Sequence, residues 1–256
     1  TLKDTTTDLA TEYINLDSLR SYYPDDFIPD LNEALVKDRL ECIENEIPLT
    51  YHAKVFSFID FFTRRKREYS RGVLGRKDLY FPIFERKLAE HNMPDELKYL
   101  SIVESGLRPV AKSWAGAVGL WQFIPSTGRM YGLKINAYFD ERMDPEKGTD
   151  AACQYLKYLH NYYNDWELSL AAYNCGPGNV RKAQYRSGRK TFWGIFNYLP
   201  RETRSYVPQF VAVTYMMNYT EEHNLFCEQK EYLMRSDTIN VHGYFNVKKL
   251  SELMNV

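Results

Sequence analysis

Apolar residues along this chain return at intervals of three and four, the spacing that lays one stripe down an α-helix. Val55, Phe58, Ile59 and Phe62 stand at i, i+3, i+4 and i+7, and Leu40, Ile43 and Ile47 keep the same period up to Pro48. Phe81, Phe84 and Leu88 fall on one side of a helix predicted over 79–91. Ala152, Leu156, Leu159 and Tyr163 do so over 149–163, and a helix over 166–174 is expected to stop at Gly176-Pro177-Gly178. Tyr206, Phe210, Val213 and Met217 mark a last long helix, in which Pro208 is tolerable only if it lies in the first turn. No strand–helix alternation argues for a parallel sheet, so the expected class is mainly α. Residues 1–28 read as an irregular polar arm, and 113–133 as a Gly- and Ser-rich loop with an apolar middle. A short strand over 237–241 and a short helix over 247–253 are expected near the end. The run Arg64-Arg65-Lys66-Arg67, continued by Arg71, Arg76 and Lys77, reads as a solvated helix end and loop.

Charge and cysteine usage narrow the class further. With 33 Lys and Arg against 34 Asp and Glu over 256 residues, the net charge of -1 argues against a nucleic-acid partner. No stretch approaches the roughly 18 uncharged apolar residues of a membrane span, so the chain reads as soluble. Cys42, Cys153, Cys175 and Cys227 are scattered without a CxxC pair or a His at zinc-ligand spacing, so no metal is expected. They read as small buried apolar residues, with one bridge left open. The N-terminus carries no visible signal peptide, as in a trimmed or mature chain. Aromatic content is high, with 21 Tyr, a residue whose flat face stacks on sugars while its hydroxyl hydrogen-bonds, although most tyrosines of this kind simply fill half-buried helix faces.

One carboxyl stands out. A helix starting after Pro94 and ending at Gly106 puts Leu97, Leu100, Ser101 and Glu104 on one face, so periodicity turns Glu104 toward the core. Burial penalises the charged form and keeps a carboxylic acid protonated nearer neutral pH, the condition for general-acid work; the bland alternative is a helix-end Glu paired with Arg108. Two further segments carry polar groups in an apolar frame. Gly116-Ala117-Val118-Gly119-Leu120-Trp121-Gln122-Phe123 offers one amide, and Ala171-Ala172-Tyr173-Asn174-Cys175-Gly176 offers a Tyr and an Asn at a helix end. Amides both donate and accept, as the orientation of acetamido and hydroxyl groups requires; either segment alone would read as a tight loop or a helix cap.

Taken together, Glu104-Ser105, Gly119-Leu120-Trp121-Gln122 and Ala172-Tyr173-Asn174-Cys175-Gly176 resemble, in order and spacing, the motifs of the family 1 lytic transglycosylases, over roughly residues 80–218. The resemblance implies a goose-type, lysozyme-like helical catalytic domain over 79–222. It would be preceded by a helical extension (1–78) packed on it and followed by a C-terminal segment (223–256) leading toward sugar-binding repeats not evident here. It implies Glu104 as the catalytic acid/base, with Ser113, Gln122, Tyr173, Asn174 and Tyr206 lining the substrate site. Trp121 and Cys175 depart from the residues usual in the family and, on this reading, affect only the shape of the subsites. The implied partner is the glycan strand of peptidoglycan, with no cofactor and no obligate protein partner. The implied location is the bacterial envelope, periplasmic and lipid-anchored through a missing N-terminus. Most glycosidases use two carboxylates, whereas these motifs supply one. Asp140, Glu141 and Asp144 cluster in a turn-like segment and are expected at the surface. One carboxyl suffices if the substrate closes on itself to give a 1,6-anhydromuramoyl end. The alternatives are a goose-type lysozyme-like hydrolase, which needs a second carboxylate, and a non-catalytic cell-wall-binding module.

Overall fold

The structure is a computed structural model that describes residues 27–227. All but residues 27 and 28 of the arm expected over 1–28, the strand over 237–241 and the helix over 247–253 lie outside the described residues. Within them the regular elements are helices, and extended pairing is limited to isolated bridges such as Lys112 with Val118 and Val118 with Phe123. The helices are α1 (Glu33–Ile43), α2 (Ala53–Asp60), α3 (Arg67–Glu90), α4 (Leu100–Ser105), α5 (Pro125–Met130), α6 (Pro145–Tyr163), α7 (Trp166–Cys175), α8 (Pro177–Ser187), α9 (Phe192–Ile195) and α10 (Thr203–Asn218). The mainly α class is as expected.

The core is built around α10. A helix apolar on every side has to be surrounded, and α10 buries Tyr206, Val207, Phe210, Val211, Ala212, Val213, Tyr215 and Met216. It packs against α2, α7, α4 and α1. Arg39 on α1 donates to the Tyr215 hydroxyl at 3.0 Å, and the Tyr219 hydroxyl returns a bond to the Arg39 carbonyl. Pro208 lies inside this helix in its second turn, not the first. It therefore costs one backbone bond, which the enclosing core tolerates.

The basic run also departs from expectation. Residues 61–65 form a single π-turn, and α3 then runs unbroken from Arg67 to Glu90, with Pro82 inside it. The helix predicted over 79–91 is thus only the second half of a longer one, and a domain boundary at 78/79 would fall within it. Arg67 and Arg76 are buried rather than solvated. The Arg67 guanidinium donates to the Thr63 carbonyl at 2.8 Å and the His223 carbonyl at 2.9 Å, and Arg76 donates to the Gly106 carbonyl at 3.0 Å. Each cation is held inward by main-chain oxygens that accept from it. Ile47 is buried, but from an irregular segment: α1 stops at Ile43, and the Glu44 carboxylate accepts from the Leu49 amide at 2.6 Å. Of the cysteines only Cys153 is fully buried; Cys42 is exposed, Cys175 and Cys227 are half-buried, and no two of them are joined by a disulfide among the described residues. Burial pushes the Cys153 thiol up to about 12.

Candidate active site

Glu104 sits in the last turn of α4, a helix held from both ends. Residues 95–99 enter it as a 3₁₀ turn after Pro94, with Leu97, Leu100 and Ser101 fully buried on the stripe that carries Glu104. Gly106 ends it with φ +61, the left-handed conformation that closes a helix. Any side chain there would press on the Tyr69 ring. The carbonyls at this end are capped by Tyr69, whose hydroxyl donates to Ile102 at 3.0 Å, and by Arg76 on Gly106.

Glu104 itself is half-buried. Its carboxylate accepts a hydrogen bond from the Tyr206 hydroxyl, 102 residues away on α10. Burial raises its pKa from 4.5 to about 7; the Tyr206 hydroxyl pulls it down, and the negative charge of Glu202 pushes it up. Burial and the nearby Glu104 charge hold the Tyr173 and Tyr206 phenols well above their usual range, so both stay neutral donors. Tyr173 donates to the Trp121 carbonyl at 2.8 Å, and its ring packs 5.2 Å from Tyr155, which in turn lies 5.1 Å from Tyr131. Glu104, Tyr173 and Tyr206 thus come together. Asn174 is joined to them through Thr203, whose hydroxyl donates to the Asn174 amide oxygen at 2.8 Å one turn before Tyr206.

Ser113 and Gln122 serve the loop that flanks the site. The Ser113 hydroxyl accepts from the Ala117 amide at 3.0 Å. The Gln122 side chain donates to the Ala111 and Gly119 carbonyls at 3.1 and 2.9 Å, and its own backbone takes the left-handed conformation at φ +49. Their side-chain bonds in the structure are to the loop itself, not to Glu104. Ser105 ties this loop to α4 through the Leu120 carbonyl at 3.0 Å. Trp121 is core, not subsite: it is almost fully buried, donates to the Thr149 hydroxyl at 2.9 Å and packs on Phe84.

Sequence reasoning missed the residue that holds this loop in shape. Arg142, buried, reaches the Gly116 and Phe123 carbonyls at 2.8 Å each while its other face pairs with Asp140 at 2.6 Å. Gly119 meets the Arg142 main chain so closely that a Cβ would stand 1.8 Å from its carbonyl oxygen. The glycine in the second motif was the available signal, since it marks a close backbone approach. Residues 113–133 also contain the short helix α5, begun by Pro125 at its first position. Asp140, Glu141 and Asp144 are half-buried rather than at the open surface, and each is in structural use. Asp140 holds Arg142, Glu141 pairs with Lys147 at 2.6 Å, and Asp144 caps α6. The Arg142 guanidinium holds the Asp140 carboxyl below its usual range. Replacing Arg142 with Met is expected to cost about 3–5 kcal/mol, because it strands a partly buried carboxylate and two carbonyls. The urea midpoint checks this, and a loss below about 1 kcal/mol would contradict the bonding described.

Fold and site together define a mainly α protein that presents one partly buried carboxyl in a frame of tyrosines and a backbone-rich loop. Residues 81–196 match the family model described as Transglycosylase SLT domain, and this part of the chain is similar to lytic murein transglycosylases. It is 38% identical over 166 residues to membrane-bound lytic murein transglycosylase D of Escherichia coli (strain K12), covering 63% of this chain and 36% of that protein. It is 31% identical over 141 residues to soluble lytic murein transglycosylase of the same strain, covering 52% and 22% respectively. The crystal structure of the 70 kDa soluble lytic transglycosylase from Escherichia coli aligns over 85% of this chain and 39% of that one, with 21% identity and a TM-score of 0.48. The chain spans about a third or less of the length of these curated relatives.

Proposed function

We propose that this chain is a peptidoglycan lytic transglycosylase that cuts the β-1,4 bond between N-acetylmuramic acid and N-acetylglucosamine without adding water. The observation that carries the reading is Glu104: one half-buried carboxyl, raised to about 7, bonded to the Tyr206 hydroxyl. A group that must first give a proton and then take one works best with its pKa near the working pH. Protonated Glu104 donates to the glycosidic oxygen, and the leaving sugar departs as an alcohol. Positive charge develops at the muramoyl C1, where the substrate's own acetamido group stabilises it. Ionised Glu104 then accepts the proton of the C6 hydroxyl as that oxygen bonds to C1. The product is a 1,6-anhydromuramoyl end, and the enzyme is returned protonated. Tyr206 steadies the carboxylate between the two steps. Tyr173 and Asn174, with Ser113 and Gln122 on the flanking loop, are assigned to binding the sugar. The names of two murein enzymes among the relatives support the substrate class. An envelope location, periplasmic and lipid-anchored, goes with the same reading. The test is digestion of purified sacculi: soluble muropeptides with anhydro ends are expected, and a protein that binds sacculi without ever solubilising them contradicts it.

A hydrolase on the same fold would need a second carboxylate, and the acidic group whose charge reaches Glu104 is Glu202. The two readings separate on Glu202→Gln. Here that change removes a negative neighbour, so Glu104 titrates lower and the alkaline limb of the rate profile moves to lower pH, with activity retained. Tyr206→Phe removes a donor to the ionised carboxylate and moves the same limb to higher pH. Shifts of the same sign in both variants, or complete loss of turnover in Glu202→Gln, would count against the single-carboxyl mechanism.

A further inference from the structure

The helix that follows the Tyr173–Asn174 segment carries charge that the cleavage chemistry does not use. Residues 168–201 contain no Asp or Glu but hold Arg181, Lys182, Arg186, Arg189, Lys190 and Arg201, in a chain whose net charge is -1. On α8, Val180 and Ala183 are buried against the protein, while Arg181, Lys182, Tyr185 and Arg186 face outward. With Gly178 they line an open hollow of about 400 Å³, and the Tyr185 side chain is 90% exposed. Cations elsewhere in the protein, such as Arg142 and Lys147, are matched by Asp140 and Glu141. Arg181, Lys182 and Arg186 form no ion pair among the described residues. A Cβ on Gly178 would meet nothing within 4 Å, so the hollow is open on that side. Its start is tied to α6 and to the end of α7: Tyr163 donates to the Pro177 carbonyl at 3.0 Å and Asn179 to the Cys175 carbonyl at 2.8 Å.

We propose that this hollow binds the free carboxylates of the peptide branches carried by the glycan, next to the point of cleavage. The inference rests on the transglycosylase reading and adds a specificity site to it. Three chemical points favour a short carboxylated peptide. Guanidinium groups match carboxylates in two-point contacts. Lys182 and Arg186 stand at i and i+4 on one face, about 6 Å of helix rise apart, the length of about two extended peptide residues, so successive carboxylates can be met in turn. The exposed Tyr185 ring offers a face for the aliphatic stems between them. Gly178 lies four residues beyond Asn174, in the helix that starts directly after the Tyr173–Asn174 segment.

The test uses the full chain, the triple variant Arg181→Gln, Lys182→Gln, Arg186→Gln, and three probes. These are a synthetic alanyl-γ-glutamyl-diaminopimelic acid peptide, its fully amidated form, and tripolyphosphate. The acid peptide is expected to bind the unaltered protein about tenfold more tightly than the amidated form, and about tenfold more tightly than it binds the variant. Tripolyphosphate is expected to bind more weakly than the acid peptide. In kinetics, the variant's KM should rise on peptide-bearing glycan and not on peptide-stripped glycan, with kcat unchanged on both. Equal affinity for acid and amide, no binding, tighter binding of tripolyphosphate, or an equal KM change on both glycans overturns the inference. An unaltered protein that cleaves neither glycan removes the transglycosylase reading, while the peptide titrations still decide the hollow's ligand.

Discussion

Glu104→Gln is expected to lower release of anhydro-muropeptides by at least about 10³-fold while leaving the fold intact. Gln keeps the size and the acceptor oxygen that meets Tyr206, so the hydrogen bond across α4 and α10 survives. What it lacks is a transferable proton, and among the described residues no other carboxyl is bonded to Tyr206 in its place. The variant should also be more stable in alkaline solution, which separates a chemical defect from a folding one. In the folded protein Glu104 titrates near 7 rather than at 4.5, so between those values the native state holds a proton that the unfolded chain has released. Stability therefore falls as pH rises through that window, by up to about 3 kcal/mol for a carboxyl displaced this far. The amide side chain does not titrate and carries no such penalty. Urea unfolding at pH 4.5 and pH 8 should show the variant gaining on the parent chain only at the higher pH. Normal turnover by this variant would remove the mechanism.

The largest structural loss is expected from Gly119→Ala. The new Cβ would stand 1.8 Å from the Arg142 carbonyl oxygen and 2.7 Å from its carbon, and neither is a flexible side-chain end that could yield. The residue also sits at φ +91, which L side chains rarely adopt. Relief requires the loop over 111–123 to leave Arg142, and with it the Arg142 bonds to Gly116 and Phe123. A cost of about 4 kcal/mol or more follows. Activity should fall with it even at temperatures where the helices persist, because that loop is fixed to Glu104 through Ser105 and to Tyr173 through Trp121. Near-parental melting temperature and turnover in Gly119→Ala would contradict the loop's role.

What could be read in advance followed local periodicity. The stripe through Leu97, Leu100 and Ser101 placed Glu104 inward, and the stripe through Phe210 and Val213 placed Tyr206 inward. That the two side chains meet could not be read, because 102 residues separate them and no local pattern encodes their pairing. The burial of Arg67 and Arg76 is hidden in the sequence for a related reason: a run of cations looks solvated until the carbonyls of a distant segment supply partners. The glycines around Pro177 do end α7, with Gly176 as its cap, and Pro177 is at the same time the first residue of α8, where its missing amide hydrogen costs nothing. Gln122 and Ser113 were legible as polar groups of the site's loop, but not as groups hydrogen-bonded to its backbone.

The central claim is that the acceptor at the muramoyl C1 is the sugar's own C6 oxygen, delivered by the carboxyl that started the reaction. Digesting peptidoglycan in water enriched in heavy oxygen and weighing the new chain ends tests it most directly. The account predicts ends lighter than a hydrolysed sugar by one water and free of the label. Labelled reducing ends in step with each bond broken would contradict it.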